Sequence, residues 1–287
     1  MRGPADAAKF IEASFEVDLA PRLLTDLIVI AIESNGAAGD LSAEEVAETW
    51  APKVKSRLIS MIEAAKEHAK FLRVTLNSSN DDYVQGSCFV EPAEDERVAE
   101  AKRKRATLLR YVDEFEAIDP NDFELLCGRT LSLFQVEEEF VTRSSADQGI
   151  DFFGRVPVGE ILKPAVIDPG PEQHFKVWLV GQAKHYQATQ VSTKDIRELV
   201  GSVALAKSKV FAGKTDPLSR LQMRVCDPVV YLFFSTGTIT RDARDLLTKA
   251  GVVAMDGLQL AMFLADHAVG LADGEFSQAT FRSWLRP

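Results

Sequence analysis

Asp151, Gln182 and Lys184 are the side chains whose types and spacing best fit one chemistry. Asp151 lies in an apolar run, Ile150-Asp151-Phe152-Phe153, bracketed by Gly149 and Gly154. Further on, Val177-Trp178-Leu179-Val180-Gly181 reads as a strand that ends in two polar side chains, Gln182 and Lys184. Strand side chains alternate between faces, so Gln182 and Lys184 share one. By the same rule Ile150 and Phe152 are expected on one side of their strand and Asp151 on the other. If the two strands pair, an acid, an amide and an amine converge at one sheet edge. That set suits binding of a divalent metal and cleavage of a phosphodiester. An anionic phosphodiester resists attack, and a metal that neutralises it and activates water is the usual answer. Magnesium (or manganese) takes oxygen ligands, which Asp151 offers as carboxylate and Gln182 as neutral amide oxygen. Lys184 is placed to stabilise charge developing on phosphorus and to position or deprotonate water.

Such side chains need a layered fold to hold them. The pattern predicts a helix over 121–134, strands over 138–143 and 150–156 and, after a proline-bearing loop, a strand over 176–184. A helix over 192–209, a buried strand over 229–235, a helix over 241–250, a strand over 252–255 and a helix over 258–267 follow. Strands alternating with helices imply an α/β sandwich. The amino-terminal part is different. Pro21 suits the first turn of a helix carrying Leu23, Leu24, Leu27, Ile28 and Ala31. Ser42-Ala43-Glu44-Glu45 has the form of a capping box opening a short helix. A third helix from Val54 to Lys70 places Leu58, Ile59, Ile62 and Ala65 on one face, and strands are expected over 71–76 and 83–90. Three helices and a hairpin outline a winged helix, whose third helix would enter a nucleic-acid groove. A helical dimerisation or partner domain is the competing reading. The basic run Lys102-Arg103-Lys104-Arg105 fits either a solvated helix face or a phosphate contact. Asp119-Pro120 starts a new helix, which divides the chain into 1–118 and 119–287.

The order Asp151…Gln182-Ala183-Lys184 resembles the Mrr-like branch of the PD-(D/E)xK nuclease superfamily, in which Gln replaces the second acid. Asp122-Phe123-Glu124-Leu125-Leu126 is similar to that branch's opening helix, and Asp147-Gln148-Gly149-Ile150-Asp151 to its Asp-Gly-Gly-(Val/Ile)-Asp turn, with Gln148 departing from Gly. Asp195-Ile196-Arg197-Glu198-Leu199-Val200-Gly201 is similar to the helix after the Lys strand, and Asp256-Gly257 to the closing strand and helix. The resemblance covers roughly the second half of the chain. It implies a restriction-endonuclease-like three-layer α/β/α core with a mixed sheet. It further implies that the Ala183 carbonyl joins Asp151 and Gln182 on the metal, and that Glu124 holds a metal-bound water. His185, opposite to Lys184 by strand parity, is weighed as a nucleic-acid contact. Gln190, Ser192 and Arg197 lie where the following helix should approach substrate.

Composition sets bounds. The chain has 287 residues, 46% hydrophobic and 26% charged, with a formal net charge of −10. An acidic chain is not coated for nonspecific nucleic-acid binding, so a nuclease of this charge needs a local basic groove. Cys88, Cys127 and Cys226 are scattered, without zinc spacing, which points to a reducing cytoplasm. The run from Leu24 to Ile32 is too short to span a bilayer, so no membrane is expected. No Gly-x-Ser-x-Gly elbow, His pair or nucleotide loop occurs. The expectation is therefore a Mg²⁺- or Mn²⁺-dependent endonuclease of restriction or defence type acting on DNA, modified or foreign. Two copies would be needed to cut both strands, and a defence partner is conceivable. A non-catalytic binding module and an RNA nuclease are the alternatives.

Overall fold

The computed structural model describes residues 3–35, 41–142, 149–157, 175–186, 189–210, 218 and 220–286. Two compact units result: Met1–Leu108 with Asp273–Glu275, and Leu109–Ala272 with Phe276–Pro287.

The first unit runs α1 (Pro4–Ser14), β1 (Arg22–Leu23), α2 (Leu24–Asn35), α3 (Ala43–Glu67), β2 (Val74–Leu76), β3 (Tyr83–Gly86) and α4 (Glu96–Ala106). α1 buries Ala7, Ala8 and Ile11, a stripe made mostly of small residues. The Ser42 capping box forms, but the helix it opens continues through Pro52 to Glu67 rather than stopping. A proline inside a helix costs about 3 kcal/mol. Burial of Ala47, Val54, Leu58 and Ala65 along one stripe offsets it, and Ile59 falls outside that stripe. β3 pairs with both β1 and β2, giving an antiparallel sheet of order β1-β3-β2. Three residues of the basic run are ion-paired: Lys102 with Glu94 at 2.6 Å, Arg103 with Glu96 at 2.7 Å and Lys104 with Glu100 at 2.7 Å. That cluster is a charge-balanced helix face. On α3, Lys55 is likewise held between Asp81 at 2.6 Å and Asp82 at 3.0 Å.

The second unit opens with α5 (Leu108–Ala117) and α6 (Pro120–Thr130), the latter capped by Asp119 through the Asp122 N–H at 2.9 Å. A mixed sheet follows: β4 (Glu139–Val141), β5 (Phe152–Pro157), β6 (Lys176–Lys184), then β7 (Val229–Ser235) and β8 (Val253–Met255). Its order is β4-β5-β6-β7-β8, antiparallel as far as β6 and parallel beyond. Helix α7 (Thr193–Lys207) follows β6, α8 (Arg241–Ala250) follows β7, and α9 (Gly257–Asp266) follows β8. α10 (Gln278–Leu285) ends the chain.

One core lies between the sheet and α7 with α8. Phe153, Trp178, Val180 and Phe233 point from the sheet into Ile196, Leu199, Val203, Ala243 and Leu247. On the other face Phe152 stacks on Phe234 with centroids 5.4 Å apart, and α6 packs across β4, β5 and β6. α9 shares that side, its Phe263 stacked on Phe134 after α6 at 5.3 Å. This is the three-layer α/β/α core expected. Burying both faces explains why β7 is apolar throughout.

Candidate active site

Asp151 stands one residue ahead of β5, at the sheet end where β6 carries Gln182 and Lys184. Its backbone is pinned from two sides. The Asp151 N–H donates to the Gly181 carbonyl at 2.9 Å, and the Thr142 N–H donates to the Asp151 carbonyl at 2.8 Å. Gly149 has φ +74, a left-handed conformation that favours glycine, and a Cβ there would run into the Ser202 hydroxyl of α7. That turn breaks the alternation expected from sequence. Ile150 packs in the α7-side core with Phe153, while Phe152 lies on the opposite face. The two do not share a side, because regular strand begins only at Phe152. The Asp147-Gln148 part of the turn lies outside the described residues.

The Asp151 side chain is 5% exposed, and its Oδ2 accepts the Ala183 N–H at 2.7 Å. The carboxylate therefore sits between Gln182 and Lys184 along β6. N–H and C=O of one strand residue point the same way. The Lys184 carbonyl accepts from Thr236 on the β7 side, so Ala183 turns its amide and carbonyl to the Asp151 side. Gln182 is fully buried. Its Nε2 donates to Glu198 Oε1 of α7 at 3.3 Å, and its Oε1 has no hydrogen-bond partner among the described residues. Lys184 Nζ lies 3.6 Å from the same Glu198 oxygen. Glu124 is on α6, one turn before Cys127. Burial first, then the charges of Asp151 and Glu124, push the Cys127 thiol well above its usual range.

His185 turns to the other side of β6, where its Nε2 hydrogen-bonds the Phe115 carbonyl at 2.8 Å and its ring tilts on Phe123. His185 and Gln190 line a cavity of about 500 Å³ with Tyr186, Glu116 and Thr236. Ser192 caps α7, its N–H and hydroxyl donating to Asp195 Oδ2 at 2.8 and 2.9 Å. Arg197 is exposed on α7.

Three residues of this neighbourhood carried no assigned role from sequence: Glu198, Tyr186 and Asp195. Tyr186 donates its hydroxyl to Asp195 Oδ1 at 2.9 Å. Burial, then the Asp195 carboxylate, pushes the Tyr186 phenol up to about 12. Burial alone would raise the Asp195 carboxyl. The Ser192 N–H and hydroxyl, the Tyr186 hydroxyl and the Lys184 charge outweigh it and hold Asp195 below the ordinary carboxylate range. The spacing Ser192-x-x-Asp195 was a legible cap signature; the reach of Glu198 onto β6 had no local signal.

Among the described residues no group of three or more His, Cys, Asp or Glu is placed to hold a metal. The site's donors are of another kind. A buried carboxylate, a buried amide oxygen without a partner and a strand carbonyl form an all-oxygen set, which fits Mg²⁺ or Mn²⁺ rather than zinc. An unsatisfied buried oxygen is a feature that a cation would remedy. Among the described residues no helix is long and apolar enough to cross a membrane.

No curated protein sequence matches the chain. Among solved structures, the MspJI restriction endonuclease in complex with a 27-mer oligonucleotide aligns at 19% identity and TM-score 0.37, covering 84% of this chain and 45% of that one. The DNA modification-dependent restriction endonuclease AspBHI aligns at 18% identity and TM-score 0.35, covering 68% of this chain and 40% of that one. The chain thus spans less than half the length of either. The Mrr_cat family model, described as restriction endonuclease, matches residues 115–212, a segment that contains Glu124, Asp151, Gln182 and Lys184. Residues 115–212, about a third of the chain, are thus the segment that is similar to a restriction endonuclease domain of the Mrr type.

Proposed function

We propose that this protein is a Mg²⁺- or Mn²⁺-dependent endonuclease that hydrolyses DNA phosphodiesters, with Asp151, Gln182 and Lys184 as its catalytic group. The observation that carries the reading is the buried Asp151 carboxylate on the Ala183 N–H, next along β6 to Gln182, whose buried side-chain oxygen has no partner among the described residues, inside the segment matched as a restriction endonuclease. Asp151, the Gln182 Oε1 and the Ala183 carbonyl would hold the ion, which would supply Lewis acidity toward a phosphate oxygen. With one carboxylate and one neutral amide, the protein alone binds the ion weakly and substrate phosphate completes the shell. Lys184 brings its ammonium to the charge that develops on phosphorus and orients the attacking water. Glu124, on α6, would hold that water, a role that rests on the family resemblance. Ser192, Gln190, Arg197 and His185 are the candidate contacts to the strand beyond the cut.

The domain assignment follows the same reading. Residues 119–287 form the nuclease domain, and residues 1–118 read modified or foreign DNA or a defence partner. Helices α1, α2 and α3 with the hairpin of β2 and β3, part of a unit that also holds β1 and α4, are compatible with that role for the amino-terminal part. Two copies act together when both strands are cut.

Supercoiled plasmid incubated with the full chain and Mg²⁺ tests this. Nicked or linear product is expected with Mg²⁺ and none with EDTA. Asp151→Asn and Lys184→Ala should each lower the rate on the order of a thousandfold. Cleavage that persists in both variants would refute the assigned site. A parallel single-stranded RNA substrate decides the polymer, since faster cutting of RNA would overturn the DNA assignment.

A further inference from the structure

Gln182 offers two chemically opposite ends, and only the oxygen can face a cation. Which end faces which way is set by Glu198. A carboxylate accepts hydrogen bonds and cannot donate them, so Glu198 Oε1 at 3.3 Å draws the Gln182 Nε2 toward α7. The amide is planar, and its Oε1 is left turned away from Glu198, buried and unpartnered. The same Glu198 oxygen lies 3.6 Å from Lys184 Nζ. One carboxylate from α7 therefore touches both polar side chains at the end of β6. Its own side chain is 42% exposed, so its exchange disturbs no core.

We infer that Glu198 is a positioning residue that selects the Gln182 rotamer, presenting the amide oxygen as a metal ligand and holding the amide hydrogens away from the ion. The inference rests on the metal-site reading above and adds the cause of the ligand's orientation. Residues that orient a metal ligand from behind typically matter ten- to a hundredfold in affinity. Glu198→Gln separates orientation from charge: its carbonyl can still accept the Gln182 N–H, while the negative charge is gone. Glu198→Ala removes both.

The test is Mn²⁺ binding by the full-length protein, followed by the electron paramagnetic resonance signal of free Mn²⁺. Thermal unfolding would confirm that each variant is folded. Wild type should bind, and Asp151→Asn should not. Glu198→Ala should weaken binding about tenfold or more. Glu198→Gln should stay within about twofold of wild type, and Glu198→Ala made in a Gln182→Ala background should add no more than about twofold. Equal losses in Glu198→Gln and Glu198→Ala would overturn the inference in favour of a simple charge effect, leaving the metal site standing. Binding that survives Asp151→Asn would overturn the metal-site reading, and the role of Glu198 with it.

Discussion

Gln182 carries a local cost at the candidate site, because its buried Oε1 lacks a partner among the described residues and such an atom costs about 1–3 kcal/mol. A cation would turn that cost into a ligand bond. Asp151 and Lys184 were legible in the sequence because each interrupts or ends an otherwise apolar strand. Glu198 was not. It is one of several charged residues on α7, and only the packing of α7 on β6 decides which of them meets Gln182. Cys127 was seen only as a scattered cysteine, yet it is fully buried on α6 and feels the charges of Asp151 and Glu124. Burial also lifts Cys88 to about 11, so neither buried thiol ionises near neutrality. Cys226 is exposed. A thiol-reactive dye at pH 8 should therefore label one of the three cysteines in the native protein and all three in denaturant. Rapid labelling of Cys127 in the native state would contradict its placement.

At the scale of elements, β6 and β7 were readable end to end, since nearly continuous apolar runs of that length have few other uses. The start of β5 was not. A left-handed Gly149 puts Ile150 into the α7-side core, and periodicity cannot register a turn of that kind. Nor could local signals show that α3 passes through Pro52, because the burial that offsets the proline is tertiary. Gly181 ties this scale to the site. It pairs with Phe152 across β5 and β6, and a Cβ on it would overlap the buried Phe152 ring. Phe152 is itself stacked on Phe234 and has little room to yield. Gly181→Ala should cost about 1–3 kcal/mol in urea unfolding. It should also slow cleavage more than lost stability explains, because the Gly181 carbonyl holds the Asp151 N–H. An unchanged unfolding midpoint would show that the two strands are not packed as described.

For the whole molecule, the alternation of strands and helices after residue 119 was enough to indicate a layered α/β core. The amino-terminal unit was harder to read, its sheet being built from strands of two to four residues. The chain is acidic, at −10 overall, and the conspicuous basic run of α4 is largely balanced by its own glutamates. Long-range attraction therefore contributes little to holding a polyanion; under the proposed function, substrate capture would fall to cations near β6 and α7, such as Lys184 and Arg197, and to a bound ion. The account thus stands or falls on where that ion binds. The most direct measurement is the anomalous scattering of Mn²⁺ in crystals of the full chain with a DNA duplex. The account predicts a peak roughly 2.1 Å from an Asp151 carboxylate oxygen and from the Gln182 Oε1. A site that stays empty at saturating Mn²⁺, or a peak bound elsewhere with Gln182 presenting its amide nitrogen, would contradict it.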